Sequence, residues 1–175
     1  MKTWNIDRAH SEIGFKIKHL MISTLRGQFT TFDGSIKTPS EDLTQAVISF
    51  TADISSIGTG NTMRDDHLRS ADFFNVSEFP TLTFNSKNVE KVGENEYKIL
   101  GELTMHGVTK DIYVNAIYNG MVNNMDGNSV MSFEMSGSLN RDDFGLTWNA
   151  PMEKGGLLVS NEVKLDINAE FTELK

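Results

Sequence analysis

The chain has 175 residues, no cysteine and a formal net charge of −8. That length predicts a single domain with its own core, and the missing thiols exclude disulfides, thiolate nucleophiles and cysteine-ligated metals. The acidic balance, with no basic stripe to offset it, excludes a nucleic-acid partner.

Met1 leads almost directly into Trp4-Asn5-Ile6-Asp7. With no apolar run ahead of it, the chain as written is expected in the cytoplasm; removal of a leader would make it periplasmic or secreted. Trp4 is expected to plug a barrel end. Alternation then sets in, and strands are predicted over 12–20, 28–37 and 45–54. Ile13, Phe15 and Ile17 share one face of the first. In the second, Phe29 and Phe32 are of opposite parity, so a bulge or face switch must lie between them if both turn inward. In the third, Ile48, Phe50, Ala52 and Ile54 oppose Val47, Ser49, Thr51 and Asp53.

The pattern breaks over about residues 61–74. Met63, Leu68, Phe73 and Phe74 lie among charges there, which predicts a short helical insert. Asn61 or Thr62 is its N-cap, with Asp65 as the acidic partner of Thr62. Gly58-Thr59-Gly60-Asn61 reads as the exit from the third strand, not as a phosphate cradle. Pro80 restarts the sheet at a position that tolerates a missing N–H. Strands follow over 80–90, 95–104, 108–119, 129–140 and 157–172. The turns between them fall at Gly93-Glu94-Asn95, His106-Gly107 and residues 123–128. No apolar run approaches the roughly 18 residues of a membrane helix, so no transmembrane segment is expected. Eight strands in mainly hairpin order predict an all-β, closed up-and-down barrel, with a two-sheet sandwich as the structural rival.

The inward set contains Phe15, Ile17, Phe32, Ile48, Phe50, Leu82, Phe84, Ile99, Leu103, Met131, Phe133, Met135 and Leu165. These residues form either an ordinary core or the wall of an apolar tunnel. Flexible thioethers at Met131 and Met135 suit a mobile guest. Burying a lipid tail contributes about 0.8 kcal/mol per methylene, so tail burial alone can drive binding.

Arg64, His67 and Arg69 are interleaved with Asp65, Asp66 and Asp72. Helical spacing pairs Asp65 with Arg69 and puts Arg64 beside Leu68. The group either anchors the insert through ion pairs or caps the barrel mouth, offering arginine donors to a polar head. Arg141, beside Asp142 and Asp143, either pairs with the insert or completes that polar mouth. The histidines at 10, 19, 67 and 106 lack a ligand spacing, and no metal is expected. No nucleophile elbow, Walker loop or dinucleotide fingerprint is present. No catalytic residue, and no cofactor apart from a lipid held as ligand, is therefore expected.

Five segments taken together resemble the YceI-like family. They are Trp4 to Ser11 with Phe15, His19 and Gly27-Gln28-Phe29; Ser56 to Gly60 with Arg64 to Phe74; Phe79-Pro80 with Thr83-Phe84; Gly101 to Lys110; and Leu139 to Asn149. The resemblance spans nearly the whole chain in the expected order. It implies one domain over 1–175, an extended eight-stranded antiparallel lipocalin-like β-barrel with one short helical insert. It also implies binding of a long-chain lipid, such as a polyisoprenoid, an isoprenoid quinone or a fatty-acid derivative, without established catalysis, in a monomer or homodimer. Two other readings stay open: an enzyme acting on a lipid through His67 or His10, and an interaction module with a packed core.

Overall fold

The computed structural model describes residues 1–150, 152 and 158–175. Among these residues, eleven strand segments make one antiparallel sheet that closes on itself. β1 (Lys2–Ile6) and β2 (Glu12–His19) are two halves of one wall position: both run against β11 (Val159–Glu173), with Ile6 opposite Phe171 and Ile17 opposite Val163. A 3-10 turn at Arg8–His10 separates them, and the Asp7 carboxylate accepts from the Ala9 N–H at 2.9 Å.

β3 (Ser23–Phe29) and β4 (Phe32–Thr38) divide the same way, β3 against β2 and β4 against β1. So do β5 (Val47–Asp53) and β6 (Ile57–Gly58), against β4 and β3. β7 (Thr81–Gly93), β8 (Glu96–Met105), β9 (Val108–Asn123) and β10 (Ser129–Asn140) then lead by successive hairpin pairings to β11. Three divided strands and five continuous ones occupy eight positions, and the β1–β11 ladder shuts the ring. That ladder decides for a barrel over a sandwich, because closure leaves no long free edge. The predicted strand at 157–172 is seen from Val159; its first residue lies outside the described residues.

Alternation predicts eight strands, and the ring has eight positions, but the first three positions are broken: β1 lies ahead of the expected 12–20, and the expected 28–37 leaves out Ser23–Gly27 of β3. Trp4 is a rung of the wall, between Ile36 and Glu173, with its side chain buried toward the barrel end it was expected to plug. The breaks solve the parity problem at Phe29 and Phe32. Both rings are buried because Thr30-Thr31 interrupts the pleat between them. The Thr30 N–H donates to Ser56 Oγ at 3.2 Å and the Asp53 N–H to the Thr31 carbonyl at 2.9 Å, so the breaks in neighbouring strands are stitched together. Ile54 and Ile57 fill the bend and are almost wholly buried.

The insert forms α1 (Thr62–Arg69), shorter than the stretch expected. Asn61 is the cap, its side chain accepting from the Arg64 N–H at 2.9 Å. Asp65 is not the reciprocal partner of a capping box. It turns back to accept from the Thr59 N–H at 2.9 Å and the Thr59 hydroxyl at 2.6 Å, tying the helix to its own approach.

The register sorts the connections to two ends. Loop 39–46 and the turns at 94–95 and 124–128 gather at one end; the turns at 20–22 and 106–107, α1 and the segment from Arg141 gather at the other. His106 and Gly107, with φ of 55° and 73°, make a two-residue primed turn. A Cβ at Gly107 would come within 2.7 Å of the Phe79 ring. Trp4, Leu43 and Met131 are buried toward the first end and form a floor. Among the described residues, no helix is long and apolar enough to cross a membrane.

Candidate functional site

Inward parity on every wall position converges on a cavity of about 540 Å³. This lies within the few-hundred to about 1,000 Å³ range of small-molecule sites. Phe15, Ile17, Ile48, Phe50, Leu82, Phe84, Ile99, Leu103, Phe133, Met135 and Leu165 all line it. Two expected wall residues do not. Phe32 shares the inward face of β4 with Gly34 and Ile36, but it is packed into the core at the bend, its ring stacked on Phe50 with centroids 6.2 Å apart. Met131 belongs to the floor, opposite Met121 and Phe171 in the ladders.

Ile112, Val114 and Ala116 also line the cavity and were missed, although they alternate with Tyr113, Asn115 and Ile117 along β9. Leu146 and Trp148 line it from a segment without any period, so no pattern announced them.

Glycines keep the space open. The Phe15 ring lies over Gly27 on β3, and the Phe84 ring lies over Gly101 on β8. A Cβ at either glycine would approach the ring tip to 2.3 Å. The missing side chains let both rings lie along the wall instead of projecting across the lumen.

The four residues expected at the polar mouth have different roles. Arg64 lines the cavity; its Nε donates to Thr59 Oγ at 2.6 Å and its Nη2 to the Thr59 carbonyl at 2.7 Å. Its Nη1 has no hydrogen-bond partner among the described residues. His67 also lines the cavity, its Nε2 2.8 Å from the Asp72 carboxylate. Its ring packs edge-on against Phe73 and Trp148, with centroids 5.0 and 4.7 Å away. These three rings and Leu68 roof the space.

Arg69 is not at the mouth. It donates to the Ser55 and Ile57 carbonyls at 2.9 and 3.0 Å and pairs with Asp66 at 3.0 Å, so it anchors α1 to β6; the expected Asp65–Arg69 pair is not formed. Arg141 lines the cavity but does not pair with the insert. It is 3% exposed and donates to the carbonyls of Ser160, Leu146, Trp148 and Val159 at 2.9, 2.7, 2.8 and 3.4 Å. Burial lowers the pKa of its guanidinium. With four of five N–H donors engaged, Arg141 is a clamp on the roof segment.

The other histidines lie apart. His106 Nδ1 is 2.9 Å from the Phe144 carbonyl, and His19 lines the cavity at the top of β2. On the outer wall, Asp7, His10 and Glu170 bring ligand-type atoms within 4.8 Å of one another, a meeting that β11 creates and sequence spacing does not show. Asp7 accepts the hydrogen bond of His10 at 2.8 Å. That bond raises the His10 pKa and lowers that of Asp7.

A closed antiparallel barrel of eight positions, with a hydrocarbon-lined interior and one polar-rimmed end, defines the protein as a lipocalin-like barrel. Within that class the chain belongs to the YceI-like domain family, whose model matches residues 4–171. It is 37% identical over 173 residues to UPF0312 protein SA2479 of Staphylococcus aureus (strain N315), covering 98% of each chain. Its fold is similar to that of the Campylobacter jejuni YCEI protein, with a TM-score of 0.77, 33% identity and coverage of 97% and 96%. It is also similar in fold to a polyisoprenoid binding domain from Saccharophagus degradans, with a TM-score of 0.69, 16% identity and coverage of 97% of each chain.

Proposed function

We propose that this protein binds one slender long-chain lipid, with the tail along the barrel axis and the head at Arg64, and releases it unchanged. The observation that carries the reading is the cavity itself: about 540 Å³ of space walled almost wholly by hydrocarbon. Ten buried methylenes contribute about 8 kcal/mol, a micromolar affinity before ordering costs are subtracted. Arg64 adds a charged donor where the tail would end, which favours a lipid with an anionic or carbonyl-bearing head. The description of the Saccharophagus degradans domain as polyisoprenoid binding supports an isoprenoid tail here.

The test is purification without detergent, followed by organic extraction and mass spectrometry. The expected result is one lipid per chain, recovered unmodified and stable on incubation with excess protein. Chemical conversion of an added lipid by the protein would make it an enzyme. A protein that neither carries nor takes up any long-chain lipid would refute the reading.

A further inference from the structure

The turn between β2 and β3 is built from residues that such a turn selects against. The Ile22 N–H donates to the His19 carbonyl at 3.3 Å, and the two central residues, Leu20 and Met21, have φ of 54° and 65°. Positive φ at both positions is a primed turn, for which Asn-Gly is the favoured pair and bulky side chains are strained. Leu20, Met21 and Ile22 are nevertheless 39, 63 and 83% exposed, so no core contact explains them. Strained apolar residues held in solvent point to a function outside the fold.

Their position says which function. The turn tops a hairpin whose next inward pair, Ile17 and Leu25, lines the cavity, as does His19. The Leu20 N–H donates at 2.9 Å to the carbonyl of Leu158, another lining residue. Met63, also lining, is 84% exposed at the same end. The apolar tip is therefore continuous with the cavity rim.

Charge on the hairpin also departs from the rest of the chain. Lys16, Lys18 and Arg26 lie on its outer face, beside Lys164 of β11. Among the described residues three carboxylates share this face with the four cations: Asp166 meets Lys16 and Arg26, each at 3.3 Å, Glu162 meets Lys164 at 3.8 Å, and Glu12 lies at the far end of β2. Lys18 donates to the Thr24 hydroxyl and has no carboxylate partner among the described residues. A local cationic excess on a chain of net charge −8 suits an anionic surface.

We propose that the β2–β3 hairpin docks on an anionic phospholipid bilayer, with Leu20, Met21 and Ile22 entering the headgroup layer and Lys16, Lys18 and Arg26 meeting lipid phosphates. The barrel mouth is thereby held against the membrane from which the tail is loaded. This rests on the reading of the cavity as a lipid site. Apolar side chains and flanking cations are the two contributions that hold a peripheral protein at an interface.

Flotation of the full chain with vesicles tests it. Vesicles of equal parts phosphatidylcholine and phosphatidylglycerol should carry the protein, and phosphatidylcholine vesicles should carry markedly less. Leu20→Asn combined with Met21→Gly installs the residues the turn favours, so its melting temperature should hold or rise while vesicle partitioning falls about tenfold or more. Lys16→Gln with Lys18→Gln should remove the preference for anionic vesicles. Lipid recovered from each purified variant reports the cavity separately: a chain that floats but holds no lipid sinks the cavity reading and leaves docking intact. Wild-type protein that stays with the soluble fraction, or an Asn-Gly variant that floats as well as wild type, overturns the proposal. Loading from a soluble protein donor without flotation overturns it equally.

Discussion

Replacing Ala116 with phenylalanine separates a tunnel from a packed core. Ala116 is buried and lines the cavity near its floor, opposite Tyr97 on β8 and Met135 on β10. If that region were close-packed, the added ring would overfill it at a cost of about 1–3 kcal/mol. For a domain of this size, that lowers the melting temperature by about 2–12 °C. In an open lumen the ring finds space and buries its own surface, so melting should hold or rise. The ring then displaces about five methylenes of any tail that reaches the floor. At about 0.8 kcal/mol each this is about 4 kcal/mol, near a thousandfold in Kd. The assay is a titration series of fatty acids of increasing length, run beside calorimetry. Long chains should lose affinity steeply and short ones should lose almost none. Equal loss at every length, or a large fall in melting temperature, would refute the reasoning.

Arg64→Gln should weaken a lipid with an anionic head by about ten- to a hundredfold, the worth of one charge-assisted bond, and leave a head-free hydrocarbon unaffected; competitive fluorescence displacement reads both. Arg141→Lys cannot span four carbonyls, so calorimetry should show a loss of about 3 kcal/mol, or roughly 6–12 °C. The Asp7–His10 pair predicts a pH window. Bonding to Asp7 raises the His10 pKa above its ordinary 6.5, so this contribution is complete below 6.5 and lost as pH rises through the elevated value. Bonding to His10 depresses Asp7 below its ordinary 3.8, so its contribution is complete above 3.8 and lost as pH falls through the depressed value. The stability gap between wild type and His10→Asn should thus be widest between those two ordinary values and close toward alkaline pH, with NMR titration of the His10 ring as the check.

Period-two alternation exposed the barrel because a one-sided wall must alternate, and eleven of the proposed lining residues, from Phe15 to Leu165, follow from parity alone. Parity at Phe29 and Phe32 even located a break, although its effect on three adjacent strands depends on Ser56 and Asp53 bonding across the wall. β1 was missed because five residues give too little alternation to distinguish a strand from a plug. The charged residues were the least legible. Asp65, Arg69 and Arg141 all bond backbone or hydroxyl groups brought near by the fold, whereas sequence offered only other charges as partners. Trp148 reaches the roof through the Arg141 clamp, whose donors also reach Val159 and Ser160 across the wall and leave no local signature.

Paramagnetic relaxation with a spin-labelled fatty acid tests the axial placement of the tail most directly. A nitroxide at the methyl end should broaden the amide signals of Ala116, Phe133 and Ala169 near the floor, while one beside the carboxyl should broaden Arg64 and Leu68. If both labels broaden the same mouth or outer-wall residues and leave the floor sharp, the ligand does not enter the barrel and the account fails.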